Sequence, residues 1–257
     1  MSEDSPLRKA FPWLFALGLF VLWELVCRAF GIPDVVLPKP TQILQVLIEK
    51  RAALWPHTWQ TLYETLIGFV GGVIVGILLG ALIGSSRLIY EAVYPLLVGF
   101  YSIPKVAIVP IFVIWFGAGT LPAILTALVI CIFPVVVNVA TGLATTEPEL
   151  EDVLRALGAS KRDILWRVGL PRALPYLFAS LKIAITLAFV GSVVSETIAA
   201  NRGIGNMMVI ASGNFDVPLV FAGLVILATM GIGLYAIFAF AERRLTGWAQ
   251  RKNEFIS

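Results

Sequence analysis

Residues 65–86 read TLIGFVGGVIVGILLGALIGSS, an uncharged stretch long enough to cross a bilayer. A spanning helix needs roughly 20 mostly apolar residues, so this segment alone argues for a membrane helix. Its glycines, Gly68, Gly72, Gly76, Gly80 and Gly84, recur every four positions, with Gly71 alongside. That spacing puts them on one helix face. Lipid supplies no hydrophobic drive between helices, so a stripe of small residues that lets backbones approach closely is one of the few ways to hold a bundle. Packing on another helix of the same chain is the first reading, and contact with a second copy is the other.

The rest of the chain has the same character. It has 257 residues, 59% hydrophobic and 14% charged, with a mean hydropathy of +0.91. This balance excludes a soluble domain. Charge-free stretches also run over 111–146 and 217–241, and three more apolar stretches carry isolated charges: Glu24 and Arg28, then Lys105, then Lys182 and Glu196. The expected fold is all-α and polytopic, a single transmembrane domain over 1–257. Its six transmembrane helices fall at about 11–30, 60–84, 89–115, 121–144, 172–199 and 217–241. Pro95, Pro104 and Pro110 are expected to kink or break the third.

Orientation follows from the 19 Lys and Arg. With both termini in the cytoplasm, twelve lie inside and five outside (Arg28, Lys39, Lys50, Arg51 and Arg202), the direction of the positive-inside bias. The first span is long and lacks a small-residue cleavage site, so it is expected to remain as an uncleaved helix. The outer face then receives residues 31–56, with an amphipathic piece presenting Ile43, Leu44 and Leu47 on one side, and the Gly- and Asn-rich stretch 200–218.

Reactive chemistry is sparse. Cys27 and Cys131 fall in different spans with no metal or disulfide spacing, and the lone His57 has no ligand partners nearby in sequence. No serine elbow, zinc motif or phosphate-binding Gly-Lys loop occurs, so the chain is expected to have no catalytic residues, no metal and no ATP site of its own. Ionisable groups at membrane depth cost about 2.5 to 3.5 kcal/mol if central, so Glu24, Glu64, Lys105, Lys182 and Glu196 need partners or water. Candidate translocation-pathway residues are Tyr101, Ser102, Lys105, Asn138, Lys182 and Glu196. A proton relay would need acids that face one another, a relation sequence does not carry.

The oily pattern breaks between Thr145 and Tyr176, TTEPELEDVLRALGASKRDILWRVGLPRALPY. A first amphipathic helix is signalled by Thr146 as cap, Pro148 in the first turn and Glu149, with Leu150, Val153, Leu154 and Leu157 along one face. Gly158 suits a left-handed exit. Ser160 and Asp163 repeat the capping signature for a second helix, closed by Leu170 and Pro171. Five basic residues place this elbow inside the cell. Helix connections ordinarily run about 2 to 8 residues, so a connector this long and amphipathic looks made to be gripped.

These residues carry a family resemblance. GASKRDILWRVGLP resembles the cytoplasmic coupling motif of bacterial ABC importer permeases, written Glu-Ala-Ala, three residues, Gly, nine residues, Ile-x-Leu-Pro. Gly158, Val168, Leu170 and Pro171 fall on the spaced positions, while Asp152, Val153 and Leu154 replace the opening triplet. LPKP at 37–40, SIPKVAIVPIFVIWFG at 102–117, SETIAANRGIGNMM at 195–208 and ERRLTGW at 242–248 are similar to the nitrate, sulfonate, taurine and bicarbonate branch of those permeases.

The resemblance implies a multi-pass protein of the bacterial inner membrane with a type I importer fold, acting as a homodimer in the lipid bilayer. Each copy would offer Asp152, Arg155, Gly158, Ala159 and Ser160 to an ATP-binding cassette ATPase subunit, with Leu170 and Pro171 fixing the return to the membrane. ATP and Mg would belong to that ATPase, a periplasmic or lipoprotein solute-binding protein would deliver the solute, and nucleic acid would have no role. The expected solute is a small anion such as a sulfonate, taurine or nitrate, with pyrimidine-like and flavin-like compounds also open. The rival reading is an ion-coupled secondary transporter, although the two halves of the chain show no convincing internal repeat.

Overall fold

The computed structural model describes residues 6–101, 103–144, 156–160, 163 and 170–250, and every regular element among them is helical. In chain order these are α1 (Pro6–Ala29), α2 (Pro40–Glu49), α3 (Arg51–Gly84), α4 (Arg87–Tyr101), a 3₁₀ turn (Lys105–Ile108), α5 (Val109–Phe116), α6 (Thr120–Ala144), α7 (Leu170–Ala199), α8 (Ile204–Gly213) and α9 (Val217–Gln250). Among the described residues, four helices are long and apolar enough to cross a membrane: Arg51–Gly84, Thr120–Leu143, Leu174–Ala199 and Val217–Thr246. A fifth appears if the sharply bent pair Leu88–Phe100 and Lys105–Phe116 counts as one span. Helix α1 occupies the first expected span. Its 24 residues reach about 36 Å at the usual rise per residue.

The core is a three-helix stack of α3, α6 and α7. Phe69, Ala127, Cys131, Val135, Ala184, Ile185, Ala188 and Phe189 form its buried centre, and Leu234 of α9 closes one side. The glycine stripe of α3 lies against α6 of the same chain. A Cβ on Gly76 would come 2.7 Å from Val135 Cβ, and one on Gly80 would come 2.9 Å from the Val136 carbonyl oxygen. Gly68 and Gly72 face Ala127 and Cys131 just as closely, and Gly84 faces Ala140. The other faces of α1, α3, α4 and α5 present Leu, Ile, Val, Phe and Trp outward, as surfaces solvated by lipid do.

Of the three prolines expected to distort the third span, one interrupts it. Helix α4 continues through Pro95, the chain leaves helical geometry at Ile103 and Pro104, and Pro110 sits in the first turn of α5. A first-turn proline is harmless because its missing N–H would have had no helical partner. Helix α2 buries Ile43 and half-buries Leu47 but leaves Leu44 exposed. The expectation that all three share a face therefore needs correcting. Residues 43 and 47 are one helical turn apart, whereas 44 is rotated by about 100° from 43.

Candidate functional site

Where α3, α6, α7 and α8 meet, the structure assembles a polar cluster inside the apolar stack. Glu64 of α3 is 0% exposed and Glu196 of α7 is 1% exposed, and both carboxyls belong to the same buried cluster. Gln60 Nε2 donates to Glu64 Oε1 (2.7 Å) and also approaches Thr120 Oγ1 at the start of α6 (2.6 Å). The Gly205 N–H donates to Glu196 Oε2 (2.7 Å). Glu64 Oε2 and Glu196 Oε1 have no such donor.

The same cluster holds the start of α8. The Ile204 N–H donates to Thr61 Oγ1 (2.9 Å). His57 Nδ1 lies 3.2 Å from Gly203 N and 3.0 Å from Gly203 O, so either ring tautomer keeps a bond to that residue. Gly203 has φ +118°, and its backbone rests directly on the Glu196 carboxyl, where a Cβ would overlap the carboxyl carbon. Only glycine satisfies both conditions. A second layer below ties the helices together through Thr65 Oγ1 and Ser192 Oγ (2.7 Å). Beside the cluster opens a cavity of about 280 Å³ lined by Gln60, Glu64, Gly119, Thr120, Asn201 and Arg202.

The candidate pathway residues are engaged with different neighbours. Lys182 forms an ion pair with Glu242 of α9 (Nζ to Oε2, 2.6 Å). Lys105 places its ammonium 5.0 Å from the centre of the Phe133 ring. Asn138 donates to the Pro134 carbonyl within α6 (2.8 Å). Glu196 is the clustered acid just described. Tyr101 ends α4, and Ser102 lies outside the described residues.

The elbow is described from 156 to 160 and at 163, so Asp152 and Arg155 lie outside the described residues. Gly158 is left-handed, φ +84°. The Asp163 N–H donates to Ser160 Oγ (3.2 Å) and the Ser160 N–H donates to Asp163 Oδ2 (3.3 Å), the reciprocal pattern of a capping box, and Ser160 Oγ also hydrogen-bonds Asp163 Oδ2 (2.5 Å). Ala159 is half-buried, Ser160 and Asp163 are exposed, and Leu157 is 77% exposed. Leu170 and Pro171 open α7. Cys27 and Cys131 are buried free thiols, and among the described residues no cluster of metal-ligating side chains occurs.

The partnership of Glu64 with Glu196, and the part played by Thr61, His57, Gly203 and Gly205, escaped the sequence reading. The signal available was the Gly-x-Gly of RGIG following a lone acid in an apolar helix.

Comparison with known proteins completes the description. The family described as "Binding-protein-dependent transport system inner membrane component" matches residues 72–247, more than half of the chain. The formylaminopyrimidine transport permease protein ThiX of Halalkalibacterium halodurans is 36% identical over 242 residues, covering 94% of this chain and 96% of that protein. The riboflavin transport system permease protein RibX of Chloroflexus aurantiacus is 36% identical over 232 residues, with coverage of 90% and 87%. The taurine transport system permease protein TauC of Escherichia coli is 30% identical over 237 residues, with coverage of 90% and 86%. Among solved structures, the fold is similar to a chain of the inward-facing MetNI methionine ABC transporter, with a TM-score of 0.65, 22% identity, and coverage of 76% of this chain and 98% of that one.

Proposed function

This chain belongs to the family of binding-protein-dependent transport system inner membrane components, and on that premise we propose how it couples, what it carries and how it assembles. It is the permease subunit of an ABC importer in the bacterial inner membrane, a transport component rather than an enzyme. Membership brings an ATPase partner and a substrate-binding protein. The observation that carries the rest is the family match over 72–247, which runs straight through the cytoplasmic elbow.

Our reading is that the elbow at 145–171 docks in the ATPase, with Asp152, Arg155, Gly158, Ala159 and Ser160 at the contact and Leu170 and Pro171 fixing its re-entry. The left-handed Gly158 and the capped turn at Ser160 and Asp163 support a stiff corner, and stiffness is what turns closure of a partner into rotation of α7. ATP and Mg then act on the partner. The working unit is a homodimer whose termini face the cytoplasm, each copy one six-span domain. Co-isolation of the ATPase tests this: replacing Gly158 and Asp152 together should abolish it while the permease still inserts. Retained ATPase would sink the coupling role.

For the solute we favour a small heterocycle. The formylaminopyrimidine and riboflavin permeases are 36% identical to this chain, against 30% for the taurine permease and 28% for an aliphatic sulfonate permease of Bacillus subtilis. A small anion, sulfonate, taurine or nitrate, is the second reading, favoured by those last two relatives and by the net charge of +3. Titrating the cognate binding protein with pyrimidines, flavins, taurine and alkanesulfonates separates the two. The clustered acids Glu64 and Glu196 are the one feature that suits an ion-coupled carrier, and uptake driven by a proton gradient without any ATPase would establish it.

A further inference from the structure

Counting donors and acceptors at the buried cluster leaves a deficit of one proton. Glu64 Oε1 receives the Gln60 amide and Glu196 Oε2 receives the Gly205 N–H. The second oxygen of each carboxyl is buried without a donor, and the two acids meet around the start of α8, where Glu196 holds the Gly205 N–H and Thr61, one turn from Glu64, holds the Ile204 N–H. With both groups ionised, two acceptors would be stranded in an apolar stack and two like charges would be held together. A single proton on either acid supplies the missing donor and removes the repulsion.

We propose that Glu64 and Glu196 share one proton, and that the protonated pair is a clasp holding the start of α8 against α3 and α7 at the outer face of the permease.

The clasp reaches α8 through three contacts. The Gly205 N–H binds Glu196, the Ile204 N–H binds Thr61, and the Gly203 backbone lies on the Glu196 carboxyl itself. Thr61 lies one helical turn before Glu64 on α3, so the pair and the loop form one network. The cavity of about 280 Å³ beside Glu64, walled by Gln60, Thr120, Asn201 and Arg202, has the polar lining and room that water needs, and gives protons a route from the outer solution. The other titratable groups facing the cluster are His57 on α3 and Arg202 on the loop before α8. The start of α6 contributes Thr120, α8 carries no charged residue, and Asp216 ahead of α9 is bound to Lys50.

The test uses the whole transporter in lipid nanodiscs, read by infrared spectroscopy and by amide hydrogen exchange. At neutral pH the wild type should show the carbonyl stretch of a protonated carboxylic acid. That band should vanish in both E64Q and E196Q, because a glutamine amide supplies the donor and leaves its neighbour ionised. Raising the pH should remove the band from the wild type and lower the protection of the Ile204 and Gly205 amides, measured against the intrinsic base-catalysed exchange rate at each pH, by about tenfold or more, since the start of α8 then sits on two stranded acceptors. In E64Q that protection should stay high and independent of pH, whereas E64A should lose it at every pH. Absence of the band in neutral wild type overturns the proposal. So does a response to sodium at constant pH, which would put a metal ion where we place the proton. Equal exchange in E64Q and E64A would overturn it as well. If E64A does not fold, the band in wild type and its loss in E64Q still decide.

Discussion

The start of α8 is fixed by distant groups: His57 and Gly203 meet across 146 positions of sequence, and Thr61 and Ile204 across 143. At the elbow, Ser160 and Asp163 bond one another across three. The first region is complete only when three membrane helices have assembled around it. The second is shaped by its own residues, and it leaves Leu157 open to solvent. An exposed large apolar side chain on a locally rigid turn is what a surface meant for a partner looks like, whereas buried backbone donors matched one by one mark a region finished within the chain.

The largest expected effect lies at the start of α8. Gly203→Ala puts a methyl group into the Glu196 carboxyl at a φ of +118°, so strain and overlap add. We expect a loss of about 3 kcal/mol or more, seen as a lower melting temperature in nanodiscs and a low yield of folded permease. Thr61→Ala is milder. It removes the acceptor for the buried Ile204 N–H and should cost about 2 kcal/mol, with hydrogen exchange rising at Ile204 and Gly205 and unchanged at the elbow. A spread of the effect to residues 156–160 would show that the two regions are not independent.

Both regions were partly legible in the sequence, for different reasons. The spans, the glycine stripe and the elbow caps depend on spacings of three or four residues, and such local periodicity survives in a linear text. Ser160 and Asp163 form the cap that their spacing predicts. The fit of Gly76 and Gly80 to Val135, Val136 and Val139 follows from a stripe on one face of α3, although which helix would meet it was not written there. Glu64 and Glu196 read only as two costly acids, because their meeting depends on the packing of α3 against α7. Pro95 shows the opposite failure: a residue that breaks soluble helices is carried inside α4. In membranes neighbouring helices and local adjustments satisfy the freed carbonyl, so proline is a weaker signal there.

At the elbow the expected changes are smaller in stability and larger in function. Gly158→Ala forces a side chain into left-handed geometry with open space around it, so only the backbone term operates, about 1 kcal/mol. The melting temperature should barely move. ATPase stimulation by the permease should fall severalfold if the corner angle matters, and an unchanged ATPase would mean the angle is not what the partner reads. Ser160→Ala removes one exposed cap, about 0.5 kcal/mol, and should weaken ATPase co-isolation less than Gly158→Ala does.

The smallest effect sharpens the α8 side of the comparison, because it concerns a local cluster at the same end of the molecule. Asp34 accepts hydrogen bonds from Gln42 Nε2 (2.6 Å) and Lys39 Nζ (3.1 Å), tying the loop after α1 to the first turn of α2. The Gln42 bond and then the Lys39 bond hold its carboxyl below the ordinary 3.8. A carboxyl that ionises more readily in the folded chain stabilises it above the unfolded value, and that contribution is lost as the pH falls through the folded value. Neutral and mildly acidic melting curves of Asp34→Asn should therefore run parallel to the wild type. Any difference in slope should appear below about pH 4. A slope difference between pH 5 and 8 would point instead to a group other than Asp34.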